Sequence, residues 1–165
     1  MKYTLSVLVE NQPGLLSKVA GLFSRRGFNI DSLAVGVTED SSISRITIVV
    51  DGDAHMVEQV EKQLNKLIQV IKVKNLEPGA YLSRELSLVK VTCHAPERGE
   101  VMRVAELMGA RIIDVTTGSL TLEFADTAAR TETLLQLLRP FGFKEIVRAG
   151  AIAIEKGEKV TAPRK

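Results

Sequence analysis

The chain has 165 residues, 45% of them hydrophobic and 25% charged, with a formal net charge of +2. That is the composition of a folded globular protein, long enough for one ordinary domain or two small ones, and it excludes a disordered chain. The small positive excess is helped by the closing EKGEKVTAPRK and is too diffuse to mark a nucleic-acid-binding surface; no apolar run approaches the roughly 20 residues that cross a bilayer.

The opening MKYTLSVLVENQPG has one Lys before a short apolar run broken by Thr4 and Ser6, with no small-residue cleavage site after it. It reads as a first strand, residues 3–10, rather than a signal peptide. From residue 13 to 26 the apolar residues Leu15, Leu16, Val19, Ala20, Leu22 and Phe23 share one helical face, with Pro13 suited to the first turn and Gly27 placed to end the helix. FNIDSLAVGVT and ISRITIVVD flank the polar EDSS and read as an antiparallel hairpin. Val57, Val60, Leu64 and Leu67 then keep helical steps between residues 53 and 68, and IQVIKVKNL closes the unit as a strand. This defines a first domain over residues 1–76.

Pro78-Gly79 in EPGAYLSRE marks a linker over residues 77–84. After it the order repeats. LSLVKVTCHA echoes LSVLVEN, with Leu5 and Leu86 81 residues apart, and GARIIDV echoes GFNIDSL, with Gly27 and Gly109 82 apart. Val101, Val104, Ala105 and Met108 keep helical spacing, SLTLEFAD supplies a strand, Leu134, Leu135, Leu137 and Leu138 a second helix, and FKEIVRAGAIAI a closing strand. The pattern is a structural duplication. The fold class is α+β, with two ferredoxin-like βαββαβ modules in tandem, the second over residues 85–157 and a frayed tail over 158–165. Each module leaves one sheet face without helices. Runs such as ITIVV and AIAI are apolar at adjacent positions, so self-association or docking is expected there.

The residues offer little catalytic chemistry. His55 and His94, with Cys93 as the single cysteine, make no zinc-site spacing, and no phosphate-binding or nucleophile-elbow motif appears. A lone Cys in an alternating strand is a small buried hydrophobe in a reducing compartment, consistent with a cytoplasmic protein. Asp40, Asp51 and Asp53 read as solvated turn formers. RNA-recognition modules share the split βαβ shape but stack bases on strand aromatics, and SRITIVV has none. No nucleic-acid or membrane partner is expected.

One corner stands apart. In VENQPGLL a strand becomes a helix through Asn11-Gln12-Pro13-Gly14, and two readings compete. It is turn and helix-start chemistry alone, or a small polar ligand sits against it. A helix N-terminus presents unpaired N–H groups to a carboxylate, and Gly14 has no side chain to block the approach. Asn11 offers a donor and an acceptor to an α-amino and α-carboxylate pair. Asn29, just after Gly27-Phe28, is expected to point toward the same place, with Leu15, Leu16, Ile30 and Val35 to hold a short aliphatic side chain.

SVLVENQPGLLSKVAGLFSRRGFNIDSLAV, followed by SRITIVV and SRELSLVKV, closely resembles the small regulatory subunits of acetolactate (acetohydroxyacid) synthase, the first half being similar to their ACT domain. Many ACT domains share parts of Glu10-Asn11, Pro13-Gly14-Leu15-Leu16, Arg26-Gly27 and Asn29-Ile30, whereas Ser44-Arg45-Ile46-Thr47 and Arg84-Glu85-Leu86 are more specific to this family. The match is dense from about Lys2 to Val91 and looser beyond.

The resemblance implies a non-catalytic subunit that binds the large catalytic subunit, raises its activity and confers feedback inhibition by valine in branched-chain amino-acid biosynthesis. Thiamine diphosphate, Mg and FAD are then expected in the partner and no cofactor in this chain. It also implies a homodimer with sheets side by side and valine at the interface, touching Asn11, Gly14, Leu15, Leu16, Asn29, Ile30 and Gln59. The alternative is a stand-alone ACT-domain sensor acting on another enzyme or a transcription factor. The sequence departs from the family at Gly36, often Ala in relatives, and in EFADTAARTE and RAGAIAIEKG. CHAPERGEV replaces Asn-x-Pro-Gly in the second half, which therefore lacks the ligand corner.

Overall fold

A computed structural model describes residues 1–163. The chain forms two compact units, the first comprising Met1–Leu82 together with the segment from Ala151 onward, the second Ser83–Gly150.

In the first unit β1 (Lys2–Glu10), α1 (Leu15–Arg25), β2 (Ile30–Val37), β3 (Ile43–Asp51), α2 (Ala54–Leu64) and β4 (Val70–Leu76) follow in chain order. The sheet order is β2-β3-β1-β4, with β1 antiparallel to both its neighbours and β2 antiparallel to β3. The two helices cover one face. Alternate residues Leu5, Val7 and Val9 of β1 and Ile46, Ile48 and Val50 of β3 meet Leu15, Val19, Leu22 and Phe23 of α1 and Val57, Val60 and Leu64 of α2 in one core. Phe23 and Phe28 pack edge to face with centroids 6.5 Å apart. Helix α1 begins two residues later than its apolar pattern predicts. Gly14 has φ +80°, a left-handed conformation that a helix interior does not use, so Pro13 and Gly14 form the turn and Gly14 becomes the N-cap.

The far face of this sheet is not bare. Thr4, Ser6, Leu8 and Thr47 face away from the helices and are nevertheless buried. Gly150, with φ +84°, turns the chain, and β9 (Ile152–Glu155) follows with Ala151 and Ala153 buried and Ile152 and Ile154 exposed. The Ala151 N–H donates to Ser32 Oγ at 2.7 Å, and Arg45 donates to Ser6 Oγ at 2.8 Å and to the Thr161 carbonyl at 3.0 Å. Tyr81 and Thr4 share a hydroxyl hydrogen bond of 3.1 Å, and the Lys156 N–H donates to the Ala80 carbonyl at 2.9 Å.

This differs from the expected organisation in four respects. FKEIVRAGAIAI is not one strand, because the left-handed Gly150 breaks it. Residues 151–157 group with the first unit, with β9 pairing with β5 (Tyr81–Thr92). Thr161 is buried and donates from Oγ1 to Glu155 at 3.1 Å, so the frayed tail expected from 158 onward is anchored at that residue, while Arg164 and Lys165 lie outside the described residues. The linker expected over 77–84 is also shorter, since β5 begins within it.

The second unit repeats the order with β5, α3 (Arg98–Met108), β6 (Arg111–Val115), β7 (Ser119–Asp126), α4 (Ala128–Leu138) and β8 (Phe143–Arg148), in the sheet order β6-β7-β5-β8. Val89, Val91 and Cys93 pack with Leu120, Leu122 and Phe124 against Val101, Ala105, Leu134 and Leu138. Arg148 bridges the buried Glu85 and the exposed Glu132, each at 2.6 Å.

Candidate functional site

Strand β1 ends at Glu10, and the next residues are held by the β2–β3 turn. The Asn11 N–H donates to the Ser42 carbonyl at 2.7 Å, and Asn11 Nδ2 donates to the Ser41 carbonyl at 3.0 Å. Gln12 N–H returns to the Glu10 carbonyl at 2.9 Å, and Gly14 then starts α1 with no side-chain cap. Lys18 N–H is bonded to the Gly14 carbonyl at 3.2 Å, the first bond of the helix, so the N–H groups before it project from the helix end. An added Cβ at Gly14 meets no atom within 4 Å, which describes an open approach.

Leu15 turns into the core while Leu16, beside it, is 45% exposed. Val35 pairs in register with Ile46 and Val37 with Ser44, and these stand opposite Val7 and Val9. The end of β2 therefore lies near the Asn11 corner, two strand spacings or roughly 10 Å away. Val35 is 49% and Val37 64% exposed on this edge strand. Asn11, Gly14, Leu15, Leu16 and Val35 thus share one end of the sheet.

Asn29 and Ile30 do not join them. Asn29 is exposed immediately before β2, and Ile30, its first residue, pairs with Val50, which in turn faces Tyr3. Strands β1 and β2 are parallel with β3 between them, so the start of β2 lies at the opposite end from Asn11. The seven steps from Tyr3 to Glu10 place the two groups roughly 24 Å apart along the sheet. Gln59 is half-buried in the middle of α2. Within one chain, Asn29 does not point toward the Asn11 corner, contrary to the sequence reading of a single pocket.

The acids read as turn formers each hold a local structure. Asp40 Oδ1 accepts from the Ser42 N–H at 2.9 Å and from Ser42 Oγ at 2.6 Å. Those bonds, the hydroxyl's first, hold its carboxyl below the ordinary aspartate range. Asp51 accepts from the Met1 amino group at 2.8 Å, and Asp53 caps α2 by accepting from the Met56 N–H at 2.7 Å. The role of the 38–42 turn in holding Asn11 was not visible in the sequence, where EDSS signals only a hairpin.

The corresponding corner of the second unit is built differently. Cys93 N–H donates to the Gly118 carbonyl at 3.0 Å, and Arg98 Nη2 donates to the carbonyls of Thr116 and Thr117 at 3.1 and 3.3 Å. A long arginine side chain occupies the tie that a short asparagine makes in the first unit. Cys93 is buried and its Sγ donates to the His94 carbonyl at 3.8 Å. Among the described residues no group of three or more His, Cys, Asp or Glu is placed to hold a metal ion, and no helix is long and apolar enough to cross a membrane.

Residues 5–72 match the model of the acetohydroxyacid synthase small subunit-like ACT domain, and residues 84–157 that of the small subunit of acetolactate synthase. The acetolactate synthase small subunit of Mycolicibacterium smegmatis is 48% identical over 157 residues, 95% of this chain and 92% of the relative. The probable acetolactate synthase small subunit of Archaeoglobus fulgidus is 47% identical over 159 residues, 96% and 99%. The crystal structure of the acetolactate synthase small subunit of Thermotoga maritima superposes with a TM-score of 0.89 at 36% identity, covering 96% of this chain and 99% of that one. The first unit is accordingly an ACT domain, the second is the ferredoxin-like unit that accompanies it, and the chain belongs to the family of acetolactate synthase small subunits.

Proposed function

We propose that two copies of this chain bind valine between them, and that occupancy sets the activity of the catalytic large subunit that the pair activates. The observation that carries this reading is the division of the candidate residues. Asn11, Gly14, Leu15 and Leu16 lie at one end of the sheet and Asn29 and Ile30 at the other, while edge strand β2 exposes Val35 and Val37. An apolar edge strand with free backbone groups invites another strand. Antiparallel pairing of β2 with its copy about a two-fold axis sets Ile30 of one chain opposite Val37 of the other. Asn29 of the second copy then comes beside the Asn11 corner of the first, and the site is completed twice.

The helix end and the open backbone at Gly14 suit the ligand's carboxylate, the Asn11 amide its polar α-carbon substituent, and Leu16 with Val35 its branched side chain. A ligand bound across the pair favours the pair geometry in which it makes most contacts, and the large subunit responds to that geometry. Valine and the large subunit then change each other's affinity by the same factor. Thiamine diphosphate, Mg and FAD belong to the large subunit in this reading, and this chain supplies differential binding rather than reacting groups.

The test is acetolactate formation from pyruvate by the catalytic subunit in the cytoplasmic pathway, with and without this chain, across a valine titration. The rate is expected to rise on adding the chain and to fall as valine is added. A rate that ignores the chain, or a stimulated rate indifferent to valine, contradicts the reading.

A further inference from the structure

The β2–β3 turn holds Asn11 twice, once through its backbone N–H and once through its side-chain amide. A carbonyl oxygen only accepts, so the contact with the Ser41 carbonyl fixes which way the amide faces: Nδ2 toward the turn, Oδ1 away from it. Among the described residues no donor reaches that oxygen. The turn is itself internally bonded. The Thr38 hydroxyl donates toward the carbonyls of Asp40 and Ile43 at 3.0 and 3.1 Å and accepts from the Asp40 N–H at 3.2 Å. Asp40 Oδ1 gathers both the N–H and the hydroxyl of Ser42, the residue whose carbonyl receives the Asn11 N–H.

We propose that Asp40 is a positioning residue for ligand recognition: by fixing Ser42, and with it the intervening Ser41, it presents the Asn11 side-chain oxygen as the acceptor for the ammonium of the bound amino acid. The inference rests on the amino-acid site proposed above and adds to it a residue outside the ligand's reach. It also divides the labour within the corner, with the ammonium read by an oriented side chain and the carboxylate by backbone at the head of α1. Asp40 is exposed, so its two bonds to Ser42 serve the turn rather than the core.

The experiment compares valine with 3-methylbutanoate, which keeps the carboxylate and the branched chain and lacks the ammonium. Both are titrated into the full chain by NMR, which reads affinities into the millimolar range. Asp40→Ala is expected to weaken valine about tenfold and 3-methylbutanoate less than about twofold. Asp40→Asn, whose amide oxygen still accepts from Ser42, is expected to stay within about threefold of the parent for valine. If Asp40→Ala melts below the assay temperature, Ser42→Ala removes the hydroxyl bond alone and is expected to show the same selective loss at about threefold. Equal weakening of both ligands, or valine affinity unchanged in the alanine variant, overturns the positioning role. A parent chain that binds neither ligand overturns the site itself and is distinguishable from that result.

Discussion

Replacement of Gly14 separates backbone strain from charge at the proposed site. Its φ of +80° disfavours any side chain, by about 1 kcal/mol for residues that tolerate the left-handed region. A Cβ there meets nothing within 4 Å, so no steric cost is added. Gly14→Ala is therefore expected to lower the melting temperature by about 3 °C and to change the valine dissociation constant less than about threefold. Gly14→Asp carries the same strain, partly offset by about 0.5 kcal/mol from a carboxylate at a helix N-terminus. Against a ligand carboxylate about 5 Å away, with an effective dielectric constant between that of a protein surface and water, the repulsion is about 1–3 kcal/mol. That corresponds to a loss of about 5- to 150-fold in affinity. Calorimetric titration of valine into both variants reads the difference. Equal weakening by Ala and Asp refutes an anion-binding corner, because strain alone then accounts for the loss.

Other consequences follow from the two ties that hold the ends of the units. Arg45→Ala removes the guanidinium bonds to Ser6 and to the Thr161 carbonyl, and is expected to lower the local stability of residues 151–163 by about 2 kcal/mol, seen as roughly 30-fold faster amide exchange there. Glu85→Ala leaves Arg148 with only the exposed Glu132, and because Arg148 is itself partly exposed the cost is about 2 kcal/mol rather than that of a fully buried pair, measurable by urea unfolding. The Asp40 carboxyl is held below its ordinary range, so its contribution is present above the unfolded value and is lost as pH falls through the folded one. The melting-temperature gap between the parent and Asp40→Ala is accordingly expected to close on acidification below about pH 4.

The element order was legible because short β-rich apolar runs bounded by turn residues mark the strands of the first sheet and each helix keeps its apolar face. Leu5, Val7 and Val9 and the set Leu15, Val19, Leu22 and Phe23 are core in the structure as their spacing requires. Two features were not read from the residue pattern. Small side chains hid the covering of the far face: Ala151 and Ala153 approach the sheet closely but signal only an ordinary strand, and the break falls on a single left-handed Gly150. The buried Thr4, Ser6 and Thr47 were the available sign, since a solvent-facing strand surface carries larger polar groups. The division of the candidate site was legible only through the family resemblance, which implies an interface site, because proximity in sequence between Gly27 and Asn29 says nothing about strand direction. The parallel relation of β1 and β2, which follows from a helix connecting strands of one sheet, places Asn29 at the far end from Asn11. The family signatures Ser44-Arg45-Ile46-Thr47 and Arg84-Glu85-Leu86 contain two of the residues whose side chains make long-range ties, Arg45 and Glu85.

The central claim is that the two halves of the amino-acid site come from different chains. It is tested most directly by co-expressing Gly14→Asp with Asn29→Ala and measuring valine stoichiometry by calorimetry. Each variant alone has every site damaged. In a mixed pair, one site carries both substitutions and the other carries neither, so random pairing is expected to restore about one quarter of the parental sites at parental affinity. A mixture that binds no more valine than the separate variants contradicts a site shared between copies.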